Sequence, residues 1–149
     1  MVHVAYEDAA AYAAWAEKSL PSEAEWEFAA SGSGEAPFPW GSDDPTSQHL
    51  NGCDSQCKAW ARQAATIVES LVATDDGYAT TAPVRTYEKG RSRLGLYDVA
   101  GNVAEWVFDW HAAYPEGDLT DPKGPNKGKL RVVRGGSFVS GGVAEVSPY

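Results

Sequence analysis

Glycine and proline interrupt this chain so often that few long helices or strands have room to form. Fifteen glycines and nine prolines are spread through 149 residues. Glycine costs backbone entropy inside an element and proline removes a hydrogen-bond donor, so a chain punctuated this way must hold many loops in place. Six tryptophans offer one means, because each buries a large rigid surface. The expected class is α+β, irregular and rich in loops, with residues 1–149 forming one domain. A domain of this length buries about 68–70% of its unfolded surface, enough for a core without a disulfide framework.

Between the interruptions, local patterns predict a few elements. Residues 2–6 alternate as a short strand does, and Glu7–Glu17 follow with Ala9, Tyr12, Ala13 and Ala16 on one helical stripe. After the break at Leu20-Pro21, Ser22 and Glu25 have the spacing of a capping box, opening a second helix through Trp26 and Phe28 to Ala30. Ser31-Gly32-Ser33-Gly34 stops it, and the two helices are expected to pack as a pair. Residues 31–52 read as irregular. Trp60, Ala64, Ile67, Val68 and Leu71 share a stripe that predicts a helix over 56–72, ahead of a turn at Asp75-Asp76-Gly77. Strand-like pieces at 82–87 and 130–135 flank a Gly/Pro/Lys-rich loop at 121–129.

Charge removes several functions. Twelve Lys and Arg against 21 Asp and Glu leave a net charge of −9, and without a basic patch nucleic-acid binding is excluded. No apolar run reaches the roughly 20 residues of a membrane span. The acidic, Ala-rich start does not read as a signal peptide, so a cytoplasmic location is the default expectation.

Chemistry concentrates in Leu94–Trp110, LGLYDVAGNVAEWVFDW. Asp98 and Glu105 bracket a Gly101-Asn102 turn. Calcium takes six to eight oxygens from carboxylates, carbonyls and water, and a tight turn can aim successive carbonyls inward. Asp98, Gly101, Val103 and Glu105 therefore form a candidate site. Read on spacing alone, the same residues also suit a plain turn capped by Asp98.

The wider motif set resembles the formylglycine-generating enzyme family, the sulfatase-modifying factors. The similar segments are VHVAYEDAAAYAAW (2–15), LPSEAEWEFAA (20–30), FPWG (38–41), TAPV (81–84), GLYDVAGNVAEW (95–106) and RGGSF (134–138), in the family's order. The resemblance implies an irregular α+β fold distantly related to C-type lectins. It implies calcium at Asp98 and Glu105 with the carbonyls of Gly101 and Val103. A second implied site uses Asn51, the Gly52 carbonyl, Asp76 and the Tyr78 carbonyl, stretched here by an insertion at 53–75. Both sites are expected to be structural clamps on loops.

The resemblance also implies a copper-dependent oxidation of a substrate cysteine to formylglycine, carried by two cysteines soon after the GGS motif. Ser140 and Glu145 stand at those positions. Neither supplies the soft thiolate that Cu(I) selects, which argues against copper. Relative to the family, the segments before His3 and after Tyr149 are missing, so a partial domain is expected, either a short reading frame or a fragment. Uncovered edges in such a domain make a homodimer one expectation.

Cys53 and Cys57, in CDSQC, stay open at this point between two free thiols, a local disulfide, and catalysis or metal binding. Trp15, Trp26, Trp40, Trp106 and Trp110 fall in family motifs and are expected as core anchors; Trp60 does not. His3 and His111 are expected at the surface or in the core. Three functions compete: a non-catalytic, calcium-stabilised binding module for an unidentified protein or small-molecule ligand, an oxidase completed by another chain, and a lectin-like display module using loops around 31–50 and 111–128.

Overall fold

The computed structural model describes residues 2–32 and 36–148; Ser33 and Gly34 of the expected helix stop lie outside them. The described chain is a small mixed fold with short elements. Helices α1 (Tyr6–Trp15), α2 (Glu23–Ser31) and α3 (Ser55–Gln63) precede strands β1 (Glu105–Trp110) and β2 (Arg131–Arg134), and a single turn, α4 (Val143–Val146), follows.

Helix α2 forms as its sequence dictates. Ser22 Oγ accepts from Glu25 N at 3.2 Å, Glu25 Oε2 accepts from Ser22 N at 2.7 Å, and Gly32 closes the helix with φ +64°. The helix packs on β1 and β2 rather than on α1. Alternation along β1 presents Glu105, Val107 and Asp109 on one face. Val107 joins Trp26, Ala30, Val99 and Val132 in a buried cluster, Glu105 meets the Trp26 indole, and Asp109 meets the start of α2. A second cluster gathers Phe38, Leu50, Ala100 and Val146, with Trp40 and Leu71 against it.

The two strands pair antiparallel with Glu105 opposite Arg134, and the register slips between Trp106 and Trp110. β2 matches the strand predicted at 130–135, whereas no strand is predicted over β1. Its six residues lack a clean polar–apolar alternation because both faces are half-covered.

Other expectations are corrected. Residues 2–5 form no strand; the helix begins at Tyr6, and Val4 is held by its carbonyl, which accepts from Trp106 Nε1 at 3.0 Å. No residue of α1 is buried, so the expected helical pair has no core to share, and Trp15 is 78% exposed instead of anchoring one. Trp26, at 5%, is an anchor; Trp40, Trp106 and Trp110 are half-buried. The helix expected over 56–72 stops at Gln63 because Ala65 adopts φ +54°, and Ile67 is 93% exposed. Residues 82–87 form no strand either: Arg85 sits at φ +64°. His3 and His111 are at the surface.

Candidate metal centre

The Gly101-Asn102 turn lies under the loop that carries Asn51. Gly101 (φ +75°) and Asn102 (φ +59°) are both left-handed, a conformation glycine adopts freely and asparagine tolerates. A Cβ on Gly101 would stand 2.3 Å from the Asn51 carbonyl oxygen, so close approach as well as φ demands glycine. Asn102 N donates to that same carbonyl at 2.8 Å. The Asn102 side chain accepts from Ala82 N at 3.0 Å and from Asn51 Nδ2 at 3.4 Å, and donates to the Ala82 carbonyl at 3.3 Å. This explains why the TAPV segment stays irregular: its polar backbone is spent on a buried asparagine rather than on a strand neighbour.

On one side of this junction stand Asp98 and Glu105. Asp98, at φ +58°, accepts from Arg85 N at 2.8 Å through Oδ2. Glu105 accepts from Trp26 Nε1 at 2.6 Å. Burial lifts the Glu105 carboxyl above its ordinary value, the Trp26 indole pulls it down, and the Asp98 charge pushes it up again. The two carboxylates thus feel one another across the turn.

On the other side, the structure brings together Asn51, Gly52, Asp76 and Tyr78. Asp76 accepts from Gly52 N at 3.1 Å and from Tyr78 N at 3.0 Å. Its carboxyl is pushed up to about 6, by burial first, with Asp54 and Asp75 adding to the rise against the two backbone donors. Asn51 is 1% exposed and its Nδ2 donates to the Thr80 carbonyl at 2.8 Å. Its Oδ1 is buried with no hydrogen-bond partner among the described residues, a costly state for an amide oxygen.

Sequence reasoning missed two neighbours of this site. Carboxylate oxygens of Asp54, Asp75 and Asp76 lie within 4.8 Å of one another. Asp54 caps α3, accepting from Cys57 N at 2.9 Å, and also accepts from Asp76 N at 3.1 Å. Asp75 accepts from Gly77 N at 2.7 Å. Each oxygen keeps a second lone pair, so the cluster could hold a metal ion. The turn at 75–77 was legible; that a helix cap would arrive beside it was not.

The insertion also reaches the segment after the RGGSF motif. Cys53 and Cys57 form a disulfide, buried on α3 and the residue before its cap, which settles the open choice between thiols and bridge. Cys53 N donates to the Ser140 carbonyl at 3.2 Å, and Trp60 meets Phe138 edge-on at 5.5 Å. Ser140 is buried with its hydroxyl accepting from Ser137 N at 3.0 Å, and the Glu145 backbone lies beside it across Gly136.

The sulfatase-modifying factor enzyme 1-like domain matches this sequence over residues 1–148. The chain belongs to that family. Formylglycine-generating enzymes of Thermomonospora curvata and Streptomyces coelicolor are 43% and 41% identical to it, each over 93% of this chain but only 44% and 42% of the enzyme. This member of the sulfatase-modifying factor family therefore spans less than half the length of those curated relatives. Among solved structures, PvdO from Pseudomonas aeruginosa superposes with a TM-score of 0.65 at 26% identity, covering 95% of this chain and 52% of that one. Among the described residues, no helix is long and apolar enough to cross a membrane.

Proposed function

We propose that this family member is a calcium-stabilised binding module that does not itself oxidise cysteine. The observation that carries the metal part is the buried, partnerless Asn51 Oδ1, one residue before the Gly52 N–H that donates to Asp76, whose carboxyl burial and neighbouring acids push up to about 6. A hard divalent cation ligated by oxygen answers both. Asn51, Asp76 and the carbonyls of Gly52 and Tyr78 would hold one ion; Asp98, Glu105 and the carbonyls of Gly101 and Val103 would hold another. Each ion would supply fixed positive charge that ties two loops together. The all-oxygen donor set, with no sulfur or imidazole in it, favours calcium over the transition metals.

The non-catalytic part is supported by Ser140 and Glu145, which stand where the family's thiols are expected. Copper does not fit the described residues, since both cysteines are bonded to each other and a hydroxyl is a poor ligand for Cu(I). One observation favours the oxidase reading instead: the Cys53 backbone is hydrogen-bonded to Ser140, so a reduced pair would lie beside the family position. A sulfatase-type cysteine peptide, incubated with reduced protein and Cu(I) and followed by mass spectrometry, tests it. Unchanged peptide is expected; copper-dependent formylglycine would establish the oxidase. For the metal, calcium added to EDTA-stripped protein is expected to stabilise the fold by about 2.7 kcal/mol per site at 100 times the dissociation constant, and so to raise the unfolding midpoint. An unchanged midpoint together with no metal by elemental analysis would refute it.

A further inference from the structure

A cleft at the far end of β1 from Glu105, beside Asp109 and Trp110, is assigned to nothing above. Helix α2 forms one wall and the loop after β1 the other, enclosing about 790 Å³, inside the range of small-molecule sites. Phe28, Trp110, Tyr114 and Leu119 make its apolar surface, and Phe28, Tyr114 and Leu119 are largely exposed. Large apolar side chains left in water around one hollow are what a ligand site requires. The loop belongs to the stretch at 111–128 expected to contact a ligand, and the helix wall was not anticipated.

The polar groups of the cleft are mostly acids. Glu23 and Glu27, one helical turn apart on α2, line it together with Asp109 of β1. Tyr114 donates its hydroxyl to Glu23 at 2.9 Å, and Asp109 accepts from Glu23 N at 2.7 Å. Arg134 approaches Glu23 at 3.6 Å and Glu27 at 3.4 Å, but it is also bound to the Pro148 carbonyl at 2.5 Å and does not line the hollow. Lys123 is the one cation among the lining residues, against three carboxylates. Burial raises the Glu27 carboxyl from its ordinary value, Arg134 lowers it and Glu23 raises it further, so additional positive charge nearby would be favourable.

We propose that this cleft binds a small organic ammonium ion with an aromatic or aliphatic body, its charge toward Glu23 and Glu27 and its apolar part against Phe28, Trp110 and Leu119. The aromatic faces strengthen the case, because a cation over Trp or Tyr gains further attraction. A carboxylate ligand would meet three like charges, and a neutral one would add nothing to the single positive charge that Arg134 sets against Glu23 and Glu27.

This deepens the binding reading by naming a ligand class, and it is separable from the calcium reading, which the midpoint experiment tests without any amine. Phenethylamine, phenethyl alcohol and hydrocinnamate share one aromatic body and differ in charge. Each is titrated into calcium-loaded protein and followed by amide and indole NMR shifts. The amine is expected to shift signals of α2, Trp110 and residues 112–125, with the alcohol about threefold to fivefold weaker, the scale of one partly exposed ion pair, and the acid weaker still. Glu27→Gln is expected to narrow the preference for amine over alcohol, with Glu23 and Asp109 keeping the remainder. Equal affinities for all three compounds, shifts centred elsewhere, or no shifts by ~10 mM would each overturn the proposal. The three-compound comparison on the unaltered protein decides the matter if the variant fails to fold.

Discussion

Asn51 and Asn102, 51 residues apart, hydrogen-bond each other through both backbone and side chain. Asn102 N donates to the Asn51 carbonyl at 2.8 Å, and Asn51 Nδ2 donates to Asn102 Oδ1 at 3.4 Å. Both are buried. Asn51 belongs to one candidate ion site and Asn102 stands between Gly101 and Val103 of the other, so the pair joins the two sites.

Asn102→Gly keeps the left-handed backbone at no steric cost but removes the side chain. The Ala82 N–H and carbonyl and the Asn51 amide would then lose their partner, at about 1–3 kcal/mol for each group left unsatisfied. Urea unfolding is expected to show a loss of about 2–3 kcal/mol, reduced where water reaches the vacated space. A loss below about 0.5 kcal/mol would mean that this asparagine serves only the turn.

Removing one ligand set should leave the other working. Glu105→Gln is expected to abolish one calcium-binding event in a calorimetric titration, and Asp76→Asn the other, each leaving a single site. If either substitution removes all binding, the two sets act as one centre through the Asn51–Asn102 pair.

Asp76 also predicts an unusual pH dependence. Its folded value near 6 stands above the ordinary 3.8, so the folded protein binds this proton more tightly than the unfolded chain. Stability from this group is therefore highest at low pH and falls as pH rises from about 4 to about 6. In EDTA, the midpoint of Asp76→Asn relative to the parent is expected to climb between about pH 4 and about pH 6. Calcium should remove that difference in slope by stabilising the carboxylate. Parallel pH curves for parent and variant without calcium would contradict the assignment.

The bridge between Cys53 and Cys57 closes a very short loop, worth less than the ~3 kcal/mol of a 15-residue loop. Cys53→Ala with Cys57→Ala should fold and lose only part of its stability. Because Asp54 caps α3 between them and also holds Asp76 N, calcium at the Asn51 site is expected to weaken while the Glu105 site is unchanged. Equal affinity at both sites before and after would disconnect the bridge from the metal.

Local chemistry was legible from the sequence wherever it acts within a few residues. The Ser22–Glu25 capping box, the Gly32 stop, the strand at 131–134 and the need for special backbone at Gly101-Asn102 all follow from neighbours along the chain. The ordered motifs were enough to identify the family. Tertiary structure decided what depends on distant partners. The stripe from Trp60 to Leu71 is broken at Ala65, because Leu71 is drawn into the Phe38–Leu50–Ala100 cluster and its N–H goes to the Cys53 carbonyl. Glu105–Trp110 is a strand because β2 and α2 cover it, and Trp15 is exposed because α1 buries none of its residues. The meeting of Asp54 with Asp76, of Cys53 with Ser140, and of α2 with the 112–125 loop was likewise decided by packing. Spacing in sequence measures local hydrogen-bond reach. Which buried amide finds a partner, and which is left facing a cation, depends on how the loops close over the core.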